Sequence, residues 1–598
     1  MKNKYIVGLL IILLFIPTLQ STIAAEQVKS LKVGITKDEN TLNPYTYVTG
    51  YPGLDLVNLL YDNLFQLDEQ NLPQPWLVED YEVSEDGLTY KLTLHENVAW
   101  HDGKPLTTED VKFTMEYFKE HPKSRFTNPL AVISSIDIQD ETNMTLVLSQ
   151  GSPNFFIQPL ADLPILPKHI WSEISNPDDS TDSLGSGPYM LEQYVSGQFY
   201  KMKANPNYFK GTPAIEEIIF PIIEDTTALF TALQAKEIDA ISSSISPELV
   251  SQFETNPNLK VIRGAGYSTT LVQINAERYP MDQKEFRQAM AYAIDTQYLV
   301  DTVLLGFAEL GSPGFIHPSS PFYNSELSFE PNMDRAKQIL EEAGFIDTNN
   351  DGYREDQQGN ELELTSLVYA NNPIRIRTAE IIAEWLNEIG IKVNVRAMDA
   401  TTVDSMMWPD FDVSKGRDFD LGVWGWSNTM QLFPDRMMDL FHSDPSVGSV
   451  NIGAYESPEF DELASLLKNT IDETERTEII KEMQALVADE FPIIPLYYQE
   501  IVNAYHPSVY DGFSFQLGKG IIHKMSFLTF ENDTAAPPTD KKEDEVKTPQ
   551  NSNEELQNAS SGSSNNSLLI LGLIIALLVV GGFVIKRKST SKKDDVDF

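Results

Sequence analysis

The chain is read as an α/β protein of two or three lobes, held outside the cell between a secretion signal and a membrane anchor. Three observations lead there: strand-period and helix-period runs alternate along the body, both ends carry long apolar runs with basic flanks, and a mature body of about five hundred residues exceeds one small core. With 41% hydrophobic and 10% aromatic residues the chain is able to build those cores.

At the start, Lys2 and Lys4 precede the apolar run Tyr5 to Ile16. Pro17 breaks it and Thr22-Ile23-Ala24 offers small residues for cleavage, so residues 1–25 read as a signal peptide. Residues 26–530 form the folded body. Tyr90, Leu92 and Leu94 alternate with polar residues as a half-buried strand. A helix follows from Thr107, with Asp110 at capping-box spacing and Val111, Met115 and Phe118 on one face. Phe286, Met290 and Ile294 line a second helix. Ala379, Ile382, Ala383, Leu386 and Ile389 line a third, stopped at Gly390 and followed by the alternating strand Ile391, Val393, Val395.

Residues 531–567 lack aromatics and are rich in Pro, Asn, Ser and mixed charge, the composition of a disordered stalk. Asn143, Asn532, Asn558 and Asn565 fit the glycosylation acceptor pattern. Residues 568–585 contain no charge and would rise about 27 Å as a helix, enough for a hydrocarbon core of roughly 30 Å. Lys586-Arg587-Lys588 then places the tail 586–598 in the cytoplasm. The expected location is the cell membrane, single-pass, with the body extracellular.

Composition and missing motifs exclude several functions. There are 88 acidic against 44 basic residues, a formal net charge of −44, so no nucleic-acid partner is expected. The absence of cysteine removes disulfides, thiol nucleophiles and thiolate metal sites. The eight histidines show no H-E-x-x-H spacing, and neither a G-x-S-x-G elbow nor a phosphate-cradling P-loop occurs. An enzyme is not expected.

Several motifs occur together in one order. Tyr90-Lys91-Leu92-Thr93-Leu94 leads to Trp100-His101-Asp102-Gly103-Lys104-Pro105-Leu106-Thr107 and Glu109-Asp110-Val111. Gly185-Ser186-Gly187-Pro188-Tyr189, Asn205-Pro206-Asn207-Tyr208, Glu237-Ile238-Asp239 and Phe286-Arg287-Gln288-Ala289 follow. This set resembles the family 5 extracytoplasmic solute-binding proteins, the peptide/nickel-type receptors of ABC importers, from about Leu31 to Phe530. The resemblance implies a two-lobed periplasmic-binding-protein-like clamp (type II, cluster C) with an extra domain inserted in lobe one. Mapped onto this chain, lobe one would take 26–66, the inserted domain 67–182, lobe one again 183–266, lobe two 267–499, and a return to lobe one 500–530. It also implies a monomer that captures oligopeptides, or oligosaccharides, and delivers them to permease subunits driven by separate ATPases. A surface glycoprotein that has lost transport is the reading from another class.

For ligand contacts, Phe419-Asp420-Leu421-Gly422-Val423-Trp424-Gly425-Trp426 resembles the family's lobe-two segment. Peptide receptors of the family carry an Asp shortly afterwards for the ligand's ammonium; here Ser427, Asn428, Thr429 and Met430 stand instead. Trp424 and Trp426, two apart in a strand, share a side and either stack on ligand or fill the core; Asn428 and Thr429 complete this candidate set. Asn43-Pro44-Tyr45 resembles the start of lobe one, which makes Tyr45 and Tyr47 cleft candidates by location, with ordinary packing the other reading. Asp347, Asn349 and Asp351, followed by Gly352, mimic the start of a calcium loop. Gln358 replaces its twelfth-position Glu, so a connecting turn or a structural calcium are the two readings. No other cofactor is expected.

Overall fold

The computed structural model describes residues 28–46, 52–152, 154–426, 434, 436–470 and 472–528. The leader, the stalk and the apolar run 568–585 lie outside the described residues. Among the described residues no helix is long and apolar enough to cross a membrane.

Two mixed sheets organise the body. The first has seven strands, in spatial order Lys260–Gly264, Ile501–Tyr505, Ala240–Ile241, Leu31–Gly34, Glu217–Pro221, Phe199–Ala204 and Tyr189–Val195. The second has six: Ala308–Leu310, Ile493–Gln499, Thr269–Ile274, Leu421–Trp426, Glu363–Tyr369 and Lys392–Met398. In the second sheet the last three run parallel, so their carboxyl ends share one edge. A smaller antiparallel sheet of four strands, Val78–Val83, Thr89–Leu94, Asn143–Leu148 and Ile133–Ile138, shares a continuous core with the first sheet.

Local chemistry explains these elements. Strand Thr89–Leu94 buries Tyr90, Leu92 and Leu94, the alternate positions. Helix Thr108–Glu120 starts at a reciprocal capping box, in which the Thr107 amide donates to Asp110 Oδ2 at 2.9 Å. The third helix spans Pro373–Glu388, and Gly390, with φ near 87°, turns the chain into strand Lys392–Met398. Helix Lys284–Ala293 ends one residue before Ile294, which is extended but still buried.

The Gly-Ser-Gly-Pro-Tyr motif holds the scaffold by close approach. A methyl on Gly185 would fall 1.9 Å from the Leu60 carbonyl oxygen, and one on Gly187 would fall 2.5 Å from that of Leu59. Both glycines therefore let two backbones touch. Ser186 between them donates to the buried carboxylate of Asp62 at 2.9 Å.

The two sheets are joined by neighbouring strands. The chain leaves Lys260–Gly264 and enters Thr269–Ile274; it returns from Ile493–Gln499 directly into Ile501–Tyr505. Each outgoing strand pairs antiparallel with a returning one. Gly266 lies so close to its neighbour that an added methyl would be 2.2 Å from the Gln499 carbonyl oxygen. Arg263 pairs with Glu500 at 3.6 Å across this junction. Both faces of the second sheet are covered, one by a core including Val272, Phe286 and Leu386, the other by one including Leu271, Trp424 and Ile480.

Candidate functional site

In open α/β sheets the edge at the carboxyl ends of parallel strands is where ligands meet protein. In the second sheet this edge carries Tyr369, Met398 and Trp426, and it lies beside the junction because Trp426 pairs with Thr269, the first residue after the crossing. Trp424 and Trp426 stand on one side of their strand, 7% and 8% exposed, with ring centroids 6.2 Å apart. Trp408 meets Trp426 edge-on at 5.9 Å, and Tyr369 packs against Trp424 at 5.4 Å. The pair is thus packed against core residues such as Leu271 and Met407. Among the described residues its indole nitrogens find no partner: Trp408 Nε1, Trp424 Nε1 and Trp426 Nε1 are all buried without a hydrogen bond. Three orphaned donors in one cluster are costly in a finished core. Trp100 Nε1 and Trp171 Nε1, in the core around the first sheet, are in the same state, so it is the place of the cluster at the carboxyl edge that marks it as a candidate.

Tyr369 OH donates to Asp404 Oδ1 at 2.5 Å, and burial, then this carboxylate, pushes the phenol's pKa up. On the opposite side of the strand, Arg375 Nη2 presses against Gly425, where a methyl would come within 2.1 Å. Burial pushes the Arg375 guanidinium below its ordinary range. At the junction itself, His317 is fully buried between Tyr267 and Tyr498, at ring-centroid distances of 4.6 and 4.4 Å. Burial lowers its pKa to about 4.

The other sequence candidates are placed as follows. Tyr45 is 4% exposed, stacks on Phe118 at 5.6 Å and lies under the Lys123 ammonium at 4.6 Å, in the core beside the first sheet. Tyr47, Asn428 and Thr429 lie outside the described residues. Asp347 and Asp351 do converge, joined by Glu355 rather than by a twelfth-position residue, with oxygens within 4.8 Å of one another. Asn349 enters that group as a donor: its Nδ2 binds Glu355 Oε1 at 2.8 Å and Asp351 Oδ2 at 3.0 Å. Asp347 accepts the amides of Asn350 and Gly352, so the segment closes on itself as a turn.

Arg375, Trp408 and Tyr369 are not singled out by the sequence. A cation two residues inside a helix start reads as solvated, and a lone Trp reads as core. Only the pairing of strands brings them to one edge.

Two sheets bridged by adjacent crossing strands, with the carboxyl edge of one turned to the junction, define a periplasmic-binding-protein fold. The chain belongs to the bacterial extracellular solute-binding proteins, family 5, whose model matches residues 73–448. It is 29% identical over 474 residues to the oligopeptide-binding protein AppA of Bacillus subtilis, covering 77% of this chain and 84% of AppA. The structure of that AppA in complex with a nonapeptide is similar with a TM-score of 0.69 and 26% identity, over 84% of this chain and 99% of that one. A periplasmic oligopeptide-binding protein of Thermotoga maritima, solved with mannohexaose bound, is similar with a TM-score of 0.66 and 25% identity, over 83% and 95% of the two chains. Members of this family are substrate-binding components of ABC importers rather than enzymes, and they work outside the cytoplasmic membrane.

Proposed function

We propose that this chain is a membrane-tethered receptor that captures oligopeptides by closing two lobes over them and hands them to the permease of an ABC importer. Lobe one takes 26–66, 183–266 and 500–530, with 67–182 inserted, and lobe two takes 267–499. The observation that carries the reading is the carboxyl edge of the second sheet, with its tryptophan pair, beside the two crossing strands. Ligand bridging both lobes binds the closed state better and shifts the population towards it. The AppA nonapeptide complex supports the peptide assignment. The uncharged run 568–585 with its basic flank supports the tether.

An oligosaccharide receptor of the same fold is the second reading. It is favoured by the tryptophan pair and by the mannohexaose-bound neighbour. Thermal unfolding of the full-length chain in detergent, with peptide pools or with manno- and cello-oligosaccharides, separates the two. A ligand at a hundred times its dissociation constant adds about 2.7 kcal/mol. A shift with sugars alone refutes the peptide assignment, and silence from both pools favours a surface protein without transport.

A further inference from the structure

We propose that the second sheet carries a second binding site, at the edge away from the crossing strands, and that this site takes a small zwitterion such as a free amino acid. It goes beyond the cleft reading and stands without it. A cavity of about 670 Å³ lies there, within the size range of small-molecule sites. Ala276 and Glu277, just past strand Thr269–Ile274, line it together with Arg417, just before strand Leu421–Trp426. Thr269 stands at the crossing, whereas Ile274 pairs with Leu421 at the far end, about 17 Å along the strand. Helix Lys284–Ala293 adds Arg287, and helix Glu473–Glu490 adds Glu490.

The charges of this cavity are sorted by depth. Arg287 is 5% exposed and the Arg417 side chain 9%. The acids stand further out: the Glu277 side chain is 71% exposed, and Asp282 and Glu456 are exposed as well. Glu490 is half-buried, and its Oε2 accepts from the Tyr455 hydroxyl at 2.7 Å. Arg287 donates from Nε and Nη1 to the carbonyls of Glu490 and Met281, both at 2.9 Å. Arg417 donates to the Val413 carbonyl at 2.9 Å and reaches the solvated Glu277 at 3.3 Å.

These partners compensate the two cations only in part. Burial pushes the pKa of Arg287 below its ordinary range with Glu490 opposing, and does the same to Arg417 with Glu277 opposing. Burial works against Arg125 too, but there the Asp162 carboxylate outweighs it and raises the pKa. A carboxylate entering the cavity would do for Arg287 and Arg417 what Asp162 does for Arg125, with the planar fork that guanidinium offers. The acids at the rim, on a chain of net charge −44, turn away a ligand that is only anionic. A carboxylate directed inward and an ammonium directed outward match both layers.

The test is equilibrium dialysis of the full-length chain in detergent against a mixture of the neutral amino acids, offered free, N-acetylated or as amides. At least one free amino acid should be retained, about tenfold more tightly than its acetylated and amidated forms, the worth of one charge-assisted hydrogen bond. Arg417→Gln should abolish that preference, and Arg417→Lys should keep part of it. The Lys variant replaces the Gln variant if that fails to fold, with a partial loss expected. Trp426→Phe, at the opposite edge, should leave the retention as it is. No retention, equal retention of the three forms, or a preference that survives in Arg417→Gln overturns the site. Retention lost in Trp426→Phe but not in Arg417→Gln puts the amino acid in the cleft and overturns it too.

Discussion

Lys524 Nζ lies 2.5 Å from Asp62 Oδ1 in a site where neither side chain is more than 1% exposed. Trp76 Nε1 and Tyr208 OH donate to the same oxygen, each at 2.9 Å, and Ser186 to the other. The pair joins the last described segment of the chain to the loop after helix Gly53–Leu60, far apart in sequence. Burial lowers the lysine's pKa, and the Asp62 charge opposes that shift.

Removing one partner of such a pair leaves the other charge buried alone. Asp62→Asn should therefore cost about 3–5 kcal/mol in chemical denaturation. The double variant Asp62→Asn, Lys524→Met should recover much of that loss, because no orphan charge remains. A double variant less stable than the single one would contradict this account.

Trp426→Phe keeps most of the packing and deletes the indole donor. Without ligand, its melting temperature should stay close to wild type, since an unsatisfied buried donor is lost. With ligand, affinity should fall about tenfold, the worth of one hydrogen bond of roughly 1.4 kcal/mol. Unchanged affinity in calorimetric titration would make Trp426 a core residue only.

Gly266→Ala should disturb the junction. The new methyl would meet the Gln499 carbonyl at 2.2 Å, and backbone cannot step aside as a side chain can. Overpacking of this kind costs about 1–3 kcal/mol. Both the melting temperature and ligand affinity should drop; wild-type values for both would show that the two crossing strands are free to separate.

Acid should weaken the fold through two histidines. Burial lowers the pKa of His317 to about 4 and that of His523 to about 3, from an ordinary 6.5. Both are neutral when folded and gain protons when unfolded, so their stabilisation is complete above pH 6.5 and is lost as pH falls towards their folded values. For His317 the full loss is about 3 kcal/mol. Glu309 Oε2, 3.8 Å from His317, is too distant for a hydrogen bond, and burial raises its own pKa. His317→Asn should flatten the dependence of melting temperature between pH 6.5 and 4.5; an unaltered slope would remove His317 from it.

Periodicity and turn chemistry are local, and they were legible. The alternation in Thr89–Leu94, the capping box at Thr107 and Asp110, and the stop at Gly390 each follow from residues within one turn of each other. The family was legible for the same reason, since its motifs are scaffold pieces such as the glycines against Leu59 and Leu60. The shared face of Trp424 and Trp426 follows from a strand's period of two.

What sequence could not supply is which distant groups meet. Glu355, not Gln358, closes on Asp347 and Asp351, because the turn folds back sooner than a twelve-residue loop would. Asp62 and Lys524 form an ion pair across most of the body, and nothing near either residue announces it. Arg375 is placed by parallel pairing of strands whose connections run through whole helices, and its approach to Gly425 is visible only once those strands are in position. Secondary structure is decided by near neighbours in the chain, whereas burial, pairing and orphaned charge are decided by three-dimensional packing.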